Sequence, residues 1–441
     1  MNCRPSAPIV LVLAGLIMAV SPRAVRPEEP SPSAIRPMWV SQQIDVELTK
    51  LIDLYKHLHR HPELSHQEAA TAAKLAQEMR GLGFEVTTGV GGHGIVCVFR
   101  NGKGPTIMVR TDLDALPVTE KTGLPYASEV VTRGRDGLPV GVMHACGHDM
   151  HMTCWVGTAK VLTALKDRWK GTLVFIGQPA EEVGAGARMM IEAGLFNRFP
   201  KPDFALALHC DSQLKAGTVS FTNGLAMANV DTVDVVVKGK GGHGAAPHTT
   251  VDPIVLAAKM VLDFQTIVSR ELDPVDPAVV TVGSIHGGTK HNIIPSEVRL
   301  QLTVRSTKDE VRAKILDAIK RIAKGNAEAA RAPEPEVNIN LSEFTPALVN
   351  DADLTQRMVA LFRSVLGAEN VSKRPLSLGG EDFARYGREG VPIFLYFLGT
   401  IDDERWQAAR KPGGEPLPSM HSDRFWPAIE PTIRTGVLTM S

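Results

Sequence analysis

From Gln43 to His59 the apolar residues Ile44, Val46, Leu48, Leu51, Ile52 and Leu54 recur at a helical period. Ser65-His-Gln-Glu68 has the form of a capping box, which predicts a second helix opening there and closing at Gly81 and Gly83. Short β-rich runs follow, FEVTT, GIVCVF and TIMVRT. A helix is then expected from near His148, strand TLVFIG, a helix near 185–193, and strand DFALALH. Strands alternating with helices argue for an α/β sheet carrying helices on its faces. From about Asn229 the pattern changes. VDTVDVVVKG alternates as a half-exposed strand does, a helix spans roughly 253–271, and strands AVVTVGSI and EVRLQLTVRS follow. Thr307-Lys-Asp-Glu310 predicts the start of a long helix ending near Ala330, before strand EVNINL. After about Ser342 the α/β texture returns, with PIFLYFLG as a buried strand. The expected fold is an α/β domain with a mixed open sheet, interrupted by an inserted α+β domain with a four-stranded sheet. The segments are 43–224 and 343–441 for the first domain and 225–342 for the insert.

The amino terminus departs from this texture. One Arg precedes an apolar core from Ala7 to Val20, small residues follow, and then a Pro-rich polar stretch. About 14 apolar residues are fewer than the ~20 a spanning helix needs, so residues 1–21 read as a signal peptide and 22–42 as a linker. The expectation is an exported protein, periplasmic or secreted, with an uncleaved N-terminal anchor as the alternative. Lys and Arg number 48, as do Asp and Glu, so zero formal charge gives no reason to expect nucleic acid or an anionic membrane as partner. Cys97, Cys146, Cys154 and Cys210 remain after cleavage, too few for a disulfide scaffold. A free thiol outside the cytosol needs burial or a metal.

Sites in open α/β sheets form beyond the carboxyl ends of strands. Arg110-Thr-Asp-Leu-Asp114 follows TIMV, Gln178-Pro-Ala-Glu-Glu182 follows TLVFIG, and His209 ends DFALALH. His144-Ala-Cys-Gly-His-Asp149 opens a helix, and His421 lies in the loop PLPSMHSD. Thiol, imidazole and carboxylate groups arriving at several strand ends are what a metal site requires. Adjacent Glu181 and Glu182 permit one carboxylate to bind a metal while the other takes a proton from water. Each residue alone has an ordinary reading: a solvated helix start for the glutamates, a small buried residue for Cys146, surface for His421. Their coincidence at strand ends and Gly/Pro loops argues against all of these at once.

The chain resembles the co-catalytic metal-dependent aminoacylase/carboxypeptidase family of peptidases, in particular its amidohydrolase branch of hippurate hydrolases, N-acyl-L-amino-acid amidohydrolases and auxin-conjugate hydrolases. The matching stretches are HRHPELSHQE (59–68), RTDLDALPV (110–118), HACGHDMH (144–151), QPAEE (178–182), LH (208–209), GKGGHGAAPH (239–248), HNIIP (291–295), GGEDF (379–383) and MHS (420–422). The resemblance implies that Cys146, His148, Glu182, His209 and His421 hold two divalent metal ions (Zn, Mn, Co or Ni), with Cys146 bridging. It makes Glu181 the general base, and Asp112 and Asp149 acids that orient ligands. His243 becomes a histidine of the inserted lid or dimerisation domain that polarises the scissile carbonyl, often across a homodimer. Asn292 and Arg305 match positions associated with the substrate's carboxylate. Two departures stand out: Gly380 where relatives more often have Ser, and the segment CDSQLKAG after His209, where many carry apolar residues. The expected activity is hydrolysis of N-acyl-amino acids, hippurate-like or N-acetylated. A carboxypeptidase or dipeptidase of the same family is the first rival reading, and a non-catalytic metal-binding or ligand-binding protein the second.

Overall fold

The computed structural model describes residues 32–134 and 137–441. Its centre is an eight-stranded mixed sheet. Edge to edge the strands are Glu85–Thr88, Ile95–Asn101, Gly171–Gln178, Thr106–Asp112, Phe204–Lys215, Ile393–Ile401, Val219–Phe221 and Val371–Lys373. The four from Gly171–Gln178 to Ile393–Ile401 run mutually parallel, so their carboxyl ends emerge along one edge. Strand Ile393–Ile401 is buried along its whole length, as parallel strands covered on both faces are. On one face Leu51, Tyr55, Trp155, Ile433 and Val437 bring the helices Pro32–Arg60, His148–Ala164 and Ile429–Met440 into a single core. On the other, Met190 and Tyr386 seat the short helices Gly186–Glu192 and Ala384–Arg388.

The second unit is a four-stranded antiparallel sheet in the order Ala278–Gly287, Glu297–Ser306, Asn229–Lys238 and Glu336–Ile339. Its own core joins Val233, Val235 and Leu300 to Met260 and Phe264 of helix Pro253–Thr266 and to Ile315 and Ile319 of helix Asp309–Ala329. This unit lies in sequence between Phe204–Lys215 and Ile393–Ile401, which are neighbours in the large sheet. The α/β reading with a separate α+β sheet therefore holds.

Three local readings are corrected: the linker, the capping box at Ser65 and the cap at Thr307. The signal peptide expected over 1–21 lies outside the described residues, as does the linker up to 31; from Pro32 that linker is already helix. Tertiary contact accounts for the early start: the Arg168 guanidinium covers the Trp39 ring at 3.3 Å, and Val40 packs on the core. The capping box does not close, because Ser65 Oγ donates to Asp114 Oδ2 at 2.7 Å and Glu68 Oε1 accepts from the distant Ala180 N–H. Glu63 takes over, accepting the N–H groups of Ala70 and Thr71 at 3.1 and 2.7 Å. Helix Asp309–Ala329 begins after Lys308 with no side-chain cap, and Asp309 and Glu310 in its first turn favour the positive end of its dipole. Among the described residues no helix is long and apolar enough to cross a membrane.

Candidate metal centre

Gly147 is the turn on which the centre is built. It sits at φ +77° between Cys146 and His148, and a Cβ there would come within 3.0 Å of Cys210 Sγ. A side chain would therefore be both strained and obstructed. The turn leaves Cys146 in the loop and puts His148 at the head of helix His148–Ala164. Asp112 ends one strand, Glu181 and Glu182 follow the next, and His209 lies on the third. His421 arrives from the late loop with φ +66°, a conformation costly outside glycine, fixed by its N–H to Ala145 O at 2.9 Å. Ala180, before the glutamates, has φ +50°, and its N–H is held by Glu68 Oε1 at 2.8 Å.

The sulfur of Cys146 is common to two groups of donors. Together with His148 and His209 it forms one, and with Glu182 and His421 the other; a third unites His148, Glu181 and Glu182. Cys146 Sγ lies 3.5 Å from His209 Nε2 and 3.2 Å from His421 Nε2. Glu182 stands 3.7 Å from both His148 Nε2 and His421 Nε2. Carbonyl oxygens fix two tautomers: His148 Nδ1–H donates to Asp114 O at 2.8 Å and His209 Nδ1–H to Cys210 O at 2.7 Å. Both Nε2 lone pairs consequently face the thiol and the carboxylates. His148 Nε2 and Glu182 Oε1 are buried without a hydrogen-bond partner, which is costly unless something binds them. His151 differs. Its Nε2 accepts the Cys210 N–H and its Nδ1–H donates to Asp112 Oδ1, both at 2.8 Å, so neither nitrogen is left for a metal.

Charge in this region is unbalanced. Asp112, Glu181, Glu381 and Asp382 crowd about one buried guanidinium, Arg110, which donates to Asp112 at 2.6 Å, Glu381 at 2.8 Å and Asp382 at 3.2 Å, while Asp114 and Glu182 lie beside His148. Burial, together with the nearby Glu381, Glu182 and Asp382, pushes the Glu181 carboxyl well above its ordinary value. Burial likewise raises the Cys146 thiol, with Glu182 and Glu181 adding to it. His148 is pushed up to about 10: burial opposes its charge, but Asp112, Asp114 and Glu182 outweigh that. Those surroundings favour positive charge at that point, whether a proton or a metal ion carries it. Thiolate, imidazole and carboxylate donors with free lone pairs suit a borderline-soft divalent ion.

Other expected residues lie elsewhere. Asp149 is spent on His59 Nδ1 at 2.6 Å and on the Met150 N–H, so its hydrogen bonds do not reach the donors. His243 and Asn292 are both exposed and share a small antiparallel ribbon, Gly242–His243 against Ile293–Ile294, where Gly244 N–H donates to Asn292 O at 2.9 Å. No donor group among the described residues includes His243. Arg305, half-buried, reaches the Leu378 carbonyl of the large-sheet unit at 3.5 Å. The reading of the sequence assigned nothing to Arg110, Asp114, Glu381 or Asp382, although RTDLD and GGEDF contain all four. It also assigned nothing to His59, wedged between Asp149 and Glu120, although the stretch HRHPELSHQE opens on it.

The model for peptidase family M20/M25/M40 matches residues 108–411. N-acetylcysteine deacetylase of Bacillus subtilis (strain 168) is 36% identical over 365 residues, covering 81% of this chain and 90% of that protein. Thermostable carboxypeptidase 1 of Saccharolobus solfataricus is 37% identical over 359 residues, covering 80% and 87%. The solved structure of the Bacillus subtilis YXEP protein, a dinuclear metal binding peptidase, superposes with a TM-score of 0.70 at 30% identity, covering 90% of this chain and 98% of that one.

Proposed function

The chain belongs to peptidase family M20/M25/M40, and from that membership and the donor geometry we propose a metal-dependent amidohydrolase that cleaves N-acyl-amino acids to a carboxylic acid and a free amino acid, and from its amino-terminal sequence an exported one. The observation that carries this reading is the buried Cys146 thiol shared by two donor groups, with Glu181 beside them. Cys146, His148, Glu182, His209 and His421 would hold two divalent ions, Zn, Mn, Co or Ni. Once bound, such ions polarise the scissile carbonyl and lower the pKa of a water molecule. Glu181 removes that water's proton at its carboxylate and returns it to the departing nitrogen. Asp112 keeps His151 and Arg110 in place beside the donors.

His243 and Asn292, exposed on their ribbon, would be presented to the site of a second copy in a homodimer, where His243 stabilises the developing oxyanion. Export rests on the apolar segment Ala7–Val20, and the burial of the four remaining free cysteines suits an oxidising compartment. A carboxypeptidase is the second reading, favoured by the relative from Saccharolobus solfataricus.

The test is release of free amino acid from a panel of acyl-amino acids and dipeptides. Chelated protein, metal-reconstituted protein and Glu181→Ala are compared side by side. Metal-dependent release that disappears in the variant supports the reading, and the panel separates deacylase from carboxypeptidase. No release from any substrate by fully reconstituted protein overturns it.

A further inference from the structure

We propose that Arg374 is a specificity-determining residue that receives a carboxylate of the substrate. The inference rests on the amidohydrolase reading above and deepens it. Arg374 follows strand Val371–Lys373 at the edge of the large sheet. Its backbone is tied on both sides: its N–H donates to Phe221 O at 2.9 Å, and its carbonyl accepts Thr222 Oγ1 at 3.1 Å. From there the guanidinium sits over the Phe397 ring, its central carbon 3.5 Å from the centroid. That ring lies beside His209, with centroids 5.8 Å apart, and Phe397 and His209 are register partners on adjacent parallel strands. A cation is thereby fixed one aromatic ring away from a metal donor.

Asp211 makes the arrangement definite. It lies two residues past His209 and so on the same face of its strand. Its Oδ1 accepts the Gln213 N–H at 2.8 Å, and its Oδ2 accepts Arg374 Nη1 at 3.0 Å. Asp211 is spent on those bonds and orients the guanidinium through one nitrogen. The fork of an arginine can serve a second carboxylate while one edge is held. The Arg374 side chain keeps 24% of its surface exposed, so it remains reachable. Burial lowers its pKa more strongly than Asp211 raises it, as for a cation whose neutralisation is incomplete.

This explains the chemistry of a stretch that the sequence marked as unusual. CDSQLKAG puts Asp211 in the segment where many members of the resembled family carry apolar residues, and Arg374 meets it there. A purely hydrocarbon group would leave that charged pair to be desolvated without compensation. A carboxylate would satisfy it. Two carboxylates are available in the substrate class: that of the amino acid, and one at the far end of a dicarboxylic acyl group.

The experiment uses two substrate pairs. One compares an N-acetyl-amino acid with its amide, which lacks the α-carboxylate; the other compares an N-succinyl-amino acid with its N-butyryl counterpart. The readout is the ratio of kcat/KM within each pair, for reconstituted wild-type protein, Arg374→Met and Arg374→Lys. In one pair the preference for the carboxylate falls on the order of ten- to a hundredfold in Arg374→Met, through KM, with Arg374→Lys between. The pair that responds identifies the carboxylate. Ratios unchanged in both pairs overturn the proposal, including when every rate falls uniformly, since that marks a structural role. Wild-type protein turning over none of the four substrates fails the underlying reading instead, and the proposal falls with it.

Discussion

The donor cluster and the ribbon bearing His243 and Asn292 both carry candidate catalytic groups, yet they are held in opposite ways. Around Cys146, every donor backbone is tied to a strand, a helix start or a backbone hydrogen bond, and two of the three imidazoles have their second nitrogen taken by a carbonyl. On the ribbon, His243 is exposed and its Nδ1 accepts only the nearby Ala245 N–H, at 3.0 Å. The first region is organised before anything binds. The second has its functional atoms directed outward, which suits a group that completes a site elsewhere. Metal ligation tolerates little positional error, whereas a carbonyl-polarising group need only reach its place in the reacting complex.

That contrast can be broken most sharply at Glu181. Replacement by Gln is expected to lower kcat by about 10² to 10⁴-fold while metal content by elemental analysis stays at the wild-type level; loss of metal along with activity would make Glu181 a ligand instead. His243→Ala comes next. A fall in kcat of about 10²-fold is expected with the melting temperature unmoved, because the residue is exposed. A large drop in melting temperature would mean that the ribbon is built on His243. Asp112→Asn should weaken metal binding by about 10 to 100-fold in chelator competition, since Arg110 and His151 lose the carboxylate that fixes them. Unchanged affinity would show that the donors hold their geometry without it.

The smallest effect expected is one of pH. His59, between Asp149 and Glu120, is pushed up to about 9 from 6.5; burial works against its charge, and the two carboxylates prevail. A raised folded-state pKa gives stability that is complete below the unfolded value of 6.5 and is lost as pH rises through about 9. The melting temperature should therefore decline over that interval in wild-type protein and stay flatter in His59→Gln. Equal slopes would place the titration elsewhere.

The large-scale fold was legible because it rests on local patterning. Strands such as TLVFIG, and the alternation in VDTVDVVVKG, declare themselves within ten residues. The donors were legible for a related reason, since chemistry at strand ends sits next to strand patterns. What escaped was non-local. Nothing near Ser65 tells that its hydroxyl will be claimed by Asp114, 49 residues on, leaving the apparent capping box without its cap. Arg110 meets Glu381 across 271 residues, so neither RTDLD nor GGEDF alone shows that it is half of a buried ion network. Asp149, beside a donor in sequence, turns out to serve His59, because successive residues at a helix start point in different directions.

His421 and Cys146 touch across 275 residues of chain. At synthesis rates of about 5 to 20 residues per second, the histidine follows the cysteine out of the ribosome by roughly 15 to 55 s. Throughout that interval the thiol lacks at least one of its four neighbouring donors, and from its own synthesis until Ile393–Ile401 is made strand Phe204–Lys215 lacks the neighbour that will cover its edge. The nascent chain is thus most exposed, to oxidants and to stray strand pairing, while the α+β insert is being made. The order in which this fold is threaded leaves its central sheet open along one strand until Ile393–Ile401 arrives.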